Sequence, residues 1–209
     1  IEITPPDVNG DITHYEGDML VAISGKDVGE LQSIETVGAV SWKHFTIGTG
    51  VGNVKHFLVV ANNYDASIAQ AKTELDSVIY EYDATRTSNP FKAIQQIPTL
   101  GAFDFEYFEI NGEHFLVVAN MRKKEGSSWN YVQDSIIYKY QGNRFVTEQP
   151  FQRIPTLGAV DWEYFKIDKP GDSSRHFLVV ANYYSETNGQ IDGPDHSYNY
   201  EKGHEQNSF

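Results

Sequence analysis

The heptapeptide His-Phe-Leu-Val-Val-Ala-Asn occurs three times, at 56–62, 114–120 and 176–182. Three identical stretches of this length in one chain cannot be chance, so internal repetition is the first constraint on the fold. Longer blocks recur in the same order. Gln32-Ser-Ile-Glu-Thr-Val-Gly-Ala-Val-Ser-Trp-Lys-His-Phe45 returns as Gln95-Gln-Ile-Pro-Thr-Leu-Gly-Ala-Phe-Asp-Phe-Glu-Tyr-Phe108 and as Gln152-Arg-Ile-Pro-Thr-Leu-Gly-Ala-Val-Asp-Trp-Glu-Tyr-Phe165. Ser77-Val-Ile-Tyr-Glu-Tyr82 returns as Ser135-Ile-Ile-Tyr-Lys-Tyr140 and fades to Ser197-Tyr-Asn-Tyr-Glu.

Each block has the composition of a strand. Phe-Leu-Val-Val-Ala is a short continuous apolar run, as expected of a strand covered on both faces. The Ile-Tyr-x-Tyr blocks are β-branched and aromatic. Asn111-Gly112 is a two-residue hairpin signal between the first and second strands of a unit. Gly38, Gly101 and Gly158 allow backbones to approach closely. A fourth strand is expected over about Phe91–Ile97 and again over about Arg144–Ile154. Helical periodicity is weak everywhere; Ser67–Leu75 is the best helical candidate. Residues 10–36 read as a degenerate extra copy, in which Met19-Leu-Val-Ala-Ile23 stands for Phe-Leu-Val-Val-Ala and no third strand is visible. The fold class expected is all-β, a β-propeller of four-stranded antiparallel blades. The whole chain, 1–209, is one repeat domain, divided into 10–36, 37–99, 100–156 and 157–209.

Composition narrows the function. A formal net charge of -13 disfavours nucleic acid and anionic membrane surfaces as partners. There is no cysteine, hence no disulfide, thiolate nucleophile or cysteine-bound zinc. No apolar stretch is long enough for a membrane helix. A chain starting Ile-Glu-Ile fits a processed secreted protein, and equally a trimmed one.

The repeated blocks resemble the epilepsy-associated repeat, also called the EPTP repeat. Its signature joins a Leu-Val-Val-Ala-Asn strand, Ser-x-Ile-Tyr-x-Tyr, and Gln-x-Ile-x-Thr-x-Gly-Ala-x-Asp-Trp-Glu-x-Phe. The pattern covers about residues 30–201, departing from it at Ser41-Trp-Lys in the first unit. The resemblance implies a β-propeller, usually of seven blades, on secreted or cell-surface proteins whose role is recognition rather than catalysis.

No nucleophile elbow, Walker loop, dinucleotide fingerprint or zinc-binding helix motif is present. His56, His114 and His176 occupy equivalent positions, either lining three ligand sites or satisfying a local polar group. His196 and His204 lie in a polar tail. Asp104 and Asp161 belong to the innermost strand, where carboxylates either hold Ca²⁺ or bond to neighbouring amides. The loops between the second and third strands span equal intervals but differ freely in sequence, as loops that carry function commonly do, while their aromatics could equally pack each loop onto its own blade. They supply the candidate ligand-binding residues Asn63, Tyr64, Asp65, Trp129, Asn130, Tyr131, Asp134, Tyr183, Tyr184 and Asn188. Aromatic rings with amides and carboxylates suit a sugar, and the same residue types suit a protein hot spot.

The expectation is a secreted, non-enzymatic binding module without a required cofactor. A multivalent lectin for glycans or glycoproteins is the first reading, and a protein-binding ectodomain the alternative. Strand edges at both ends of the chain lead to the expectation of a homodimer.

Overall fold

The computed structural model describes residues 18–24, 27–48, 53–65, 72–169, 173–187 and 190–192. Among them there are strands and turns and no helix. The described residues begin with a hairpin of β1 (Asp18–Ser24) and β2 (Asp27–Ile34). Unit one follows as β3 (Ala39–Ile47), β4 (Lys55–Asn62), β5 (Glu74–Tyr82) and β6 (Phe91–Leu100), a four-stranded antiparallel sheet in chain order. Unit two begins with β7 (Ala102–Ile110) and β8 (Glu113–Asn120). A small hairpin, β9 (Lys123–Glu125) with β10 (Ser128–Asn130), precedes β11 (Val132–Gln141). Its outermost strand is split into β12 (Arg144–Phe145) and β13 (Gln152–Leu157), both paired with β11. Unit three shows the pair β14 (Ala159–Ile167) and β15 (Arg175–Asn182), then a small hairpin of β16 (Ser185–Thr187) and β17 (Gln190–Asp192). These are propeller blades, as the repeats predict.

The repeated heptapeptide shows why the blades need each other. Phe57, Val59 and Ala61 join a core with Phe105, Leu116 and Val118 of unit two. Val60 packs the other way, with Ile34 and Tyr80. In unit two the same alternation sends Leu116 and Val118 towards unit one, and Phe115, Val117 and Ala119 towards Trp162 of unit three. A strand covered on both faces has no polar side to present, hence the unbroken apolar run. Burying a side chain of this size contributes roughly 1.5–3 kcal/mol, so the seams between units carry much of the stability.

The polar members of the repeat fasten strands to one another. The Asn120 side chain accepts a hydrogen bond from Leu100 N at 3.0 Å and donates to Asp134 O at 2.9 Å. Asn62 does the same with Val37 N and Asp76 O, and Asn182 accepts from Leu157 N. The Ser77 and Thr99 hydroxyls meet at 3.2 Å, and Ser135 and Thr156 at 3.0 Å. Each fixes a buried polar group with a partner, as burial requires.

Two expectations are corrected. Asp18 opposes Ile34 in β1–β2, as Ser77 opposes Ile97 and Ser135 opposes Ile154. The register shift after Leu20 also matches that after Ile79. Met19–Ile23 is therefore the third strand of the leading unit, and not a copy of the second. The fourth strand of unit two is not continuous, because three more residues separate Phe145 from Ile154 than separate Phe91 from Ile97, and Pro150 among them has no amide for a ladder. Leu75, the end of the helical candidate, lies in β5; residues 66–71 fall outside the described set. The Asn111-Gly112 hairpin is as expected, both residues having positive φ (54° and 78°).

Candidate functional site: the edge of second-to-third-strand loops

The connection from one unit to the next and the loop after the second strand lie at the same end of each blade. Gly101 sits at φ +55°, and a side chain there would meet the Arg122 carbonyl oxygen at 2.6 Å. A side chain at Gly38 would likewise meet the Tyr64 carbonyl oxygen, and one at Gly158 would meet the Tyr184 ring at 2.7 Å. The residue two places after the repeated Asn thus lies against each unit-joining glycine: Tyr64, Arg122 and Tyr184.

The three loops touch and form one edge. Tyr64 and Trp129 meet edge-on with centroids 5.5 Å apart. The Arg122 guanidinium lies 4.2 Å from the Trp129 ring centre and 5.9 Å from that of Tyr64. The Lys124 ammonium lies 4.1 Å from the same Trp129 ring centre. Tyr131 and Tyr184 pack with centroids 3.9 Å apart, and Tyr183 stands edge-on to Tyr184. Burial, followed by the contact with Tyr131, raises the Tyr184 hydroxyl above the ordinary tyrosine range. Tyr183 is 46% exposed.

Other candidate residues have structural duties. Asn63 is buried and donates through Nδ2 to Gly101 O at 3.0 Å and Ala102 O at 3.2 Å, joining unit one to unit two. Asp65 pairs backbone to backbone with Lys72. Asn130 accepts from Val132 N at 2.9 Å, shaping the turn into β11, and its Nδ2 donates to Glu125. Asp134 lies within β11 opposite Pro155. Asn188 lies outside the described residues, as do His196 and His204. The structure thus gathers Tyr64, Trp129, Tyr131, Tyr183 and Tyr184 on one edge. It adds Arg122 and Lys124, which single-residue reading missed. Aligning the three loops from their repeated Asn is the signal that brings out Arg122.

The three equivalent histidines each engage a first-strand side chain. His114 Nδ1 lies 2.8 Å from the Tyr107 hydroxyl, and His176 Nδ1 2.7 Å from that of Tyr164. His56 meets His44 at 3.3 Å, and burial together with the His56 charge lowers the His44 pKa. These are local polar pairings between the first and second strands.

On the innermost strands, Asp104 Oδ1 accepts from the Ser41 hydroxyl and Oδ2 accepts from Trp162 N, so one carboxylate ties three units. Burial is the main cause of a pKa pushed up to about 6, with the Asp161 charge adding to it. Among the described residues no group of three His, Asp or Glu is placed to hold a metal.

Phe108, Ile110, Phe115, Ile137 and Gln152 line a groove of about 330 Å³. Residue for residue they match Phe45, Ile47, Phe57, Ile79 and Gln95, which share the first seam with Phe145. The groove is a packing seat of the repeat.

Comparison with known proteins decides the family. The EPTP domain matches residues 30–83, 91–141 and 149–191. The chain belongs to the EPTP family. The EPTP chain is also 41% identical, over 169 residues or 81% of its length, to the thrombospondin-type laminin G domain and EAR repeat-containing protein of Mus musculus, and equally to that of Homo sapiens. It spans 22% of the length of each. Each EPTP block begins at the fourth strand of the preceding unit, one strand ahead of the structural units, and the matched segments take in all three loops, the third as far as Ile191.

Proposed function

We propose that this chain is a non-catalytic, extracellular recognition module that binds a protein partner through the loop edge. The state of the loop rings carries this reading. Stacking on a pyranose needs an open aromatic face. The Trp129 ring is instead held by two cations within 4.2 Å, and the Tyr131 and Tyr184 rings pack on each other. An edge of packed Trp, Tyr and Arg with an exposed Tyr183 has the make-up of a protein-interface hot spot. The relatives' names couple EAR repeats with a laminin G domain, which supports a place outside the cell. The lectin reading keeps the residue types of the loops and their repetition, since equivalent loops on repeated blades give avidity.

Binding of the labelled chain to intact cells, before and after surface proteolysis, tests the reading alongside a glycan array. Protein recognition predicts that proteolysis abolishes cell binding and that no glycan exceeds the control. Binding that survives proteolysis, with one sugar class selected on the array, would establish the lectin instead.

A further inference from the structure

Two cations of the loop edge, Arg122 and Lys124, form no ion pair among the described residues. The chain has 16 Lys and Arg against 29 Asp and Glu, so a basic group has carboxylates in excess to choose from. Lys43, Lys55, Lys92, Lys123, Lys139, Arg144 and Lys166 all have one. In the run Arg122-Lys123-Lys124 only Lys123 is paired, with Glu74 at 2.9 Å. Lys124 Nζ donates to Ser127 O at 3.2 Å, and its amide is pinned to Thr73 Oγ1 at 2.8 Å.

Both cations are held in place. Trp129 draws them together through its ring, at 4.2 Å and 4.1 Å, by the attraction of a cation to an aromatic face. Arg122 is further fixed because its backbone lies against Gly101. Its Nε is shut off from water and bonded to no group among the described residues. The buried Nε holds the base of the fork inside the protein and leaves the two terminal nitrogens, beside a second cation, to give a carboxylate parallel bonds. Such a pair also balances two positive charges that otherwise repel across one ring.

We propose that Arg122 and Lys124, positioned by Trp129, form a recognition point for an Asp or Glu side chain of the protein partner. This rests on the protein-binding reading of the edge and adds its chemistry. The neighbouring tyrosines Tyr64 and Tyr184 then flank the acidic residue with rings for an apolar or aromatic neighbour. Carboxylates occur on acidic sugars too, and the hyaluronan arm of the test separates that source from a protein side chain.

The test uses the full chain with three probes: a fluorescein-labelled glutamate-rich decapeptide, its glutamine counterpart, and a hyaluronan hexasaccharide. The glutamate peptide is expected to bind and the glutamine peptide to bind at least tenfold more weakly. Arg122→Gln is expected to weaken the glutamate peptide by about tenfold or more, in keeping with the loss of a charge-assisted bond. Arg122→Lys is expected to recover little of it, since a point charge cannot reproduce the fork. If Arg122→Gln fails to fold by circular dichroism, Lys124→Gln serves, with a loss of about threefold or more expected. Equal binding of both peptides, or glutamate binding unchanged in the variants, overturns the site. Failure of the peptides while cell binding remains protease-sensitive also overturns it and leaves the protein reading standing. Hyaluronan binding that depends on Arg122, with protease-resistant cell binding, overturns both.

Discussion

Gln95 and Phe145, 50 residues apart and on neighbouring units, hold each other by two hydrogen bonds. Gln95 Nε2 donates to Phe145 O at 2.6 Å, and Phe145 N donates to Gln95 Oε1 at 3.0 Å. Gln32 clamps Phe91 in the same way, at 2.8 Å and 2.9 Å. A primary amide presents one donor and one acceptor side by side, matching the N–H and C=O of one residue. The Gln of the repeat is therefore a fastener between blades, set where the outermost strand of the next blade begins.

Gln95→Ala removes both bonds and strips the Phe145 backbone of its partners. A loss of about 1–3 kcal/mol is expected, read as a fall in the urea midpoint. Gln95→Glu is expected to be no better, because a carboxylate has no donor for Phe145 O. A midpoint unchanged in Gln95→Ala would show that the clamp contributes nothing to the seam.

Two glycines of similar φ separate conformation from contact. Gly112 at +78° has open space around it, whereas a side chain at Gly101 would strike the Arg122 carbonyl at 2.6 Å. Gly112→Ala is expected to cost about 1–2 kcal/mol from left-handed backbone strain alone. Gly101→Ala is expected to cost clearly more, since backbone atoms must move apart. Equal urea midpoints for the two variants would contradict the close approach of loop and unit connection.

Asp104 sets a pH dependence. Burial foremost, with the Asp161 charge, holds its pKa at about 6 despite hydrogen bonds from the Trp162 and Phe105 amides and the Ser41 hydroxyl. Between the ordinary carboxylate value and that raised one, the folded chain keeps a proton that the unfolded chain has lost. This group's contribution to stability therefore falls as pH rises from about 4 through 6, and the loss is complete above that window. Asp104→Asn removes the titration while its amide can still accept from Trp162 N and donate to Ser41. The variant is expected to gain stability relative to the parent as pH goes from 4.5 to 7, measured as the difference in urea midpoints. Parallel curves for parent and variant would contradict the raised pKa.

The repeats made the strands legible because a strand buried on both faces leaves an apolar run that no turn or surface helix needs. The Asn111-Gly112 turn was equally plain, since few residue pairs accept two positive φ values. Met19–Ile23 was misplaced because apolarity alone does not tell a second strand from a third; the pairing of Asp18 with Ile34 does. The β9–β10 and β16–β17 hairpins were hidden in sequences too short and polar to show alternation. At the site, the aromatic residues could be found from loop position. The buried hydrogen bonds of Asn63 could not, because an amide that bonds to the backbone of the next unit has the same one-letter pattern as one that faces a ligand. Arg122 stands out only against Tyr64 and Tyr184, its equivalents two residues after the repeated Asn in the other units.

The most direct measurement of the central claim compares the two ends of the blades in protease-sensitive cell binding. Tyr183→Ala alters the exposed loop edge, and Glu113→Gln alters the opposite hairpin end, where Glu113 pairs at the surface with Lys139. With both variants folded by circular dichroism, the account predicts that Tyr183→Ala weakens binding about tenfold and that Glu113→Gln leaves it unchanged. Loss of binding in Glu113→Gln, with Tyr183→Ala binding as the parent does, would contradict it.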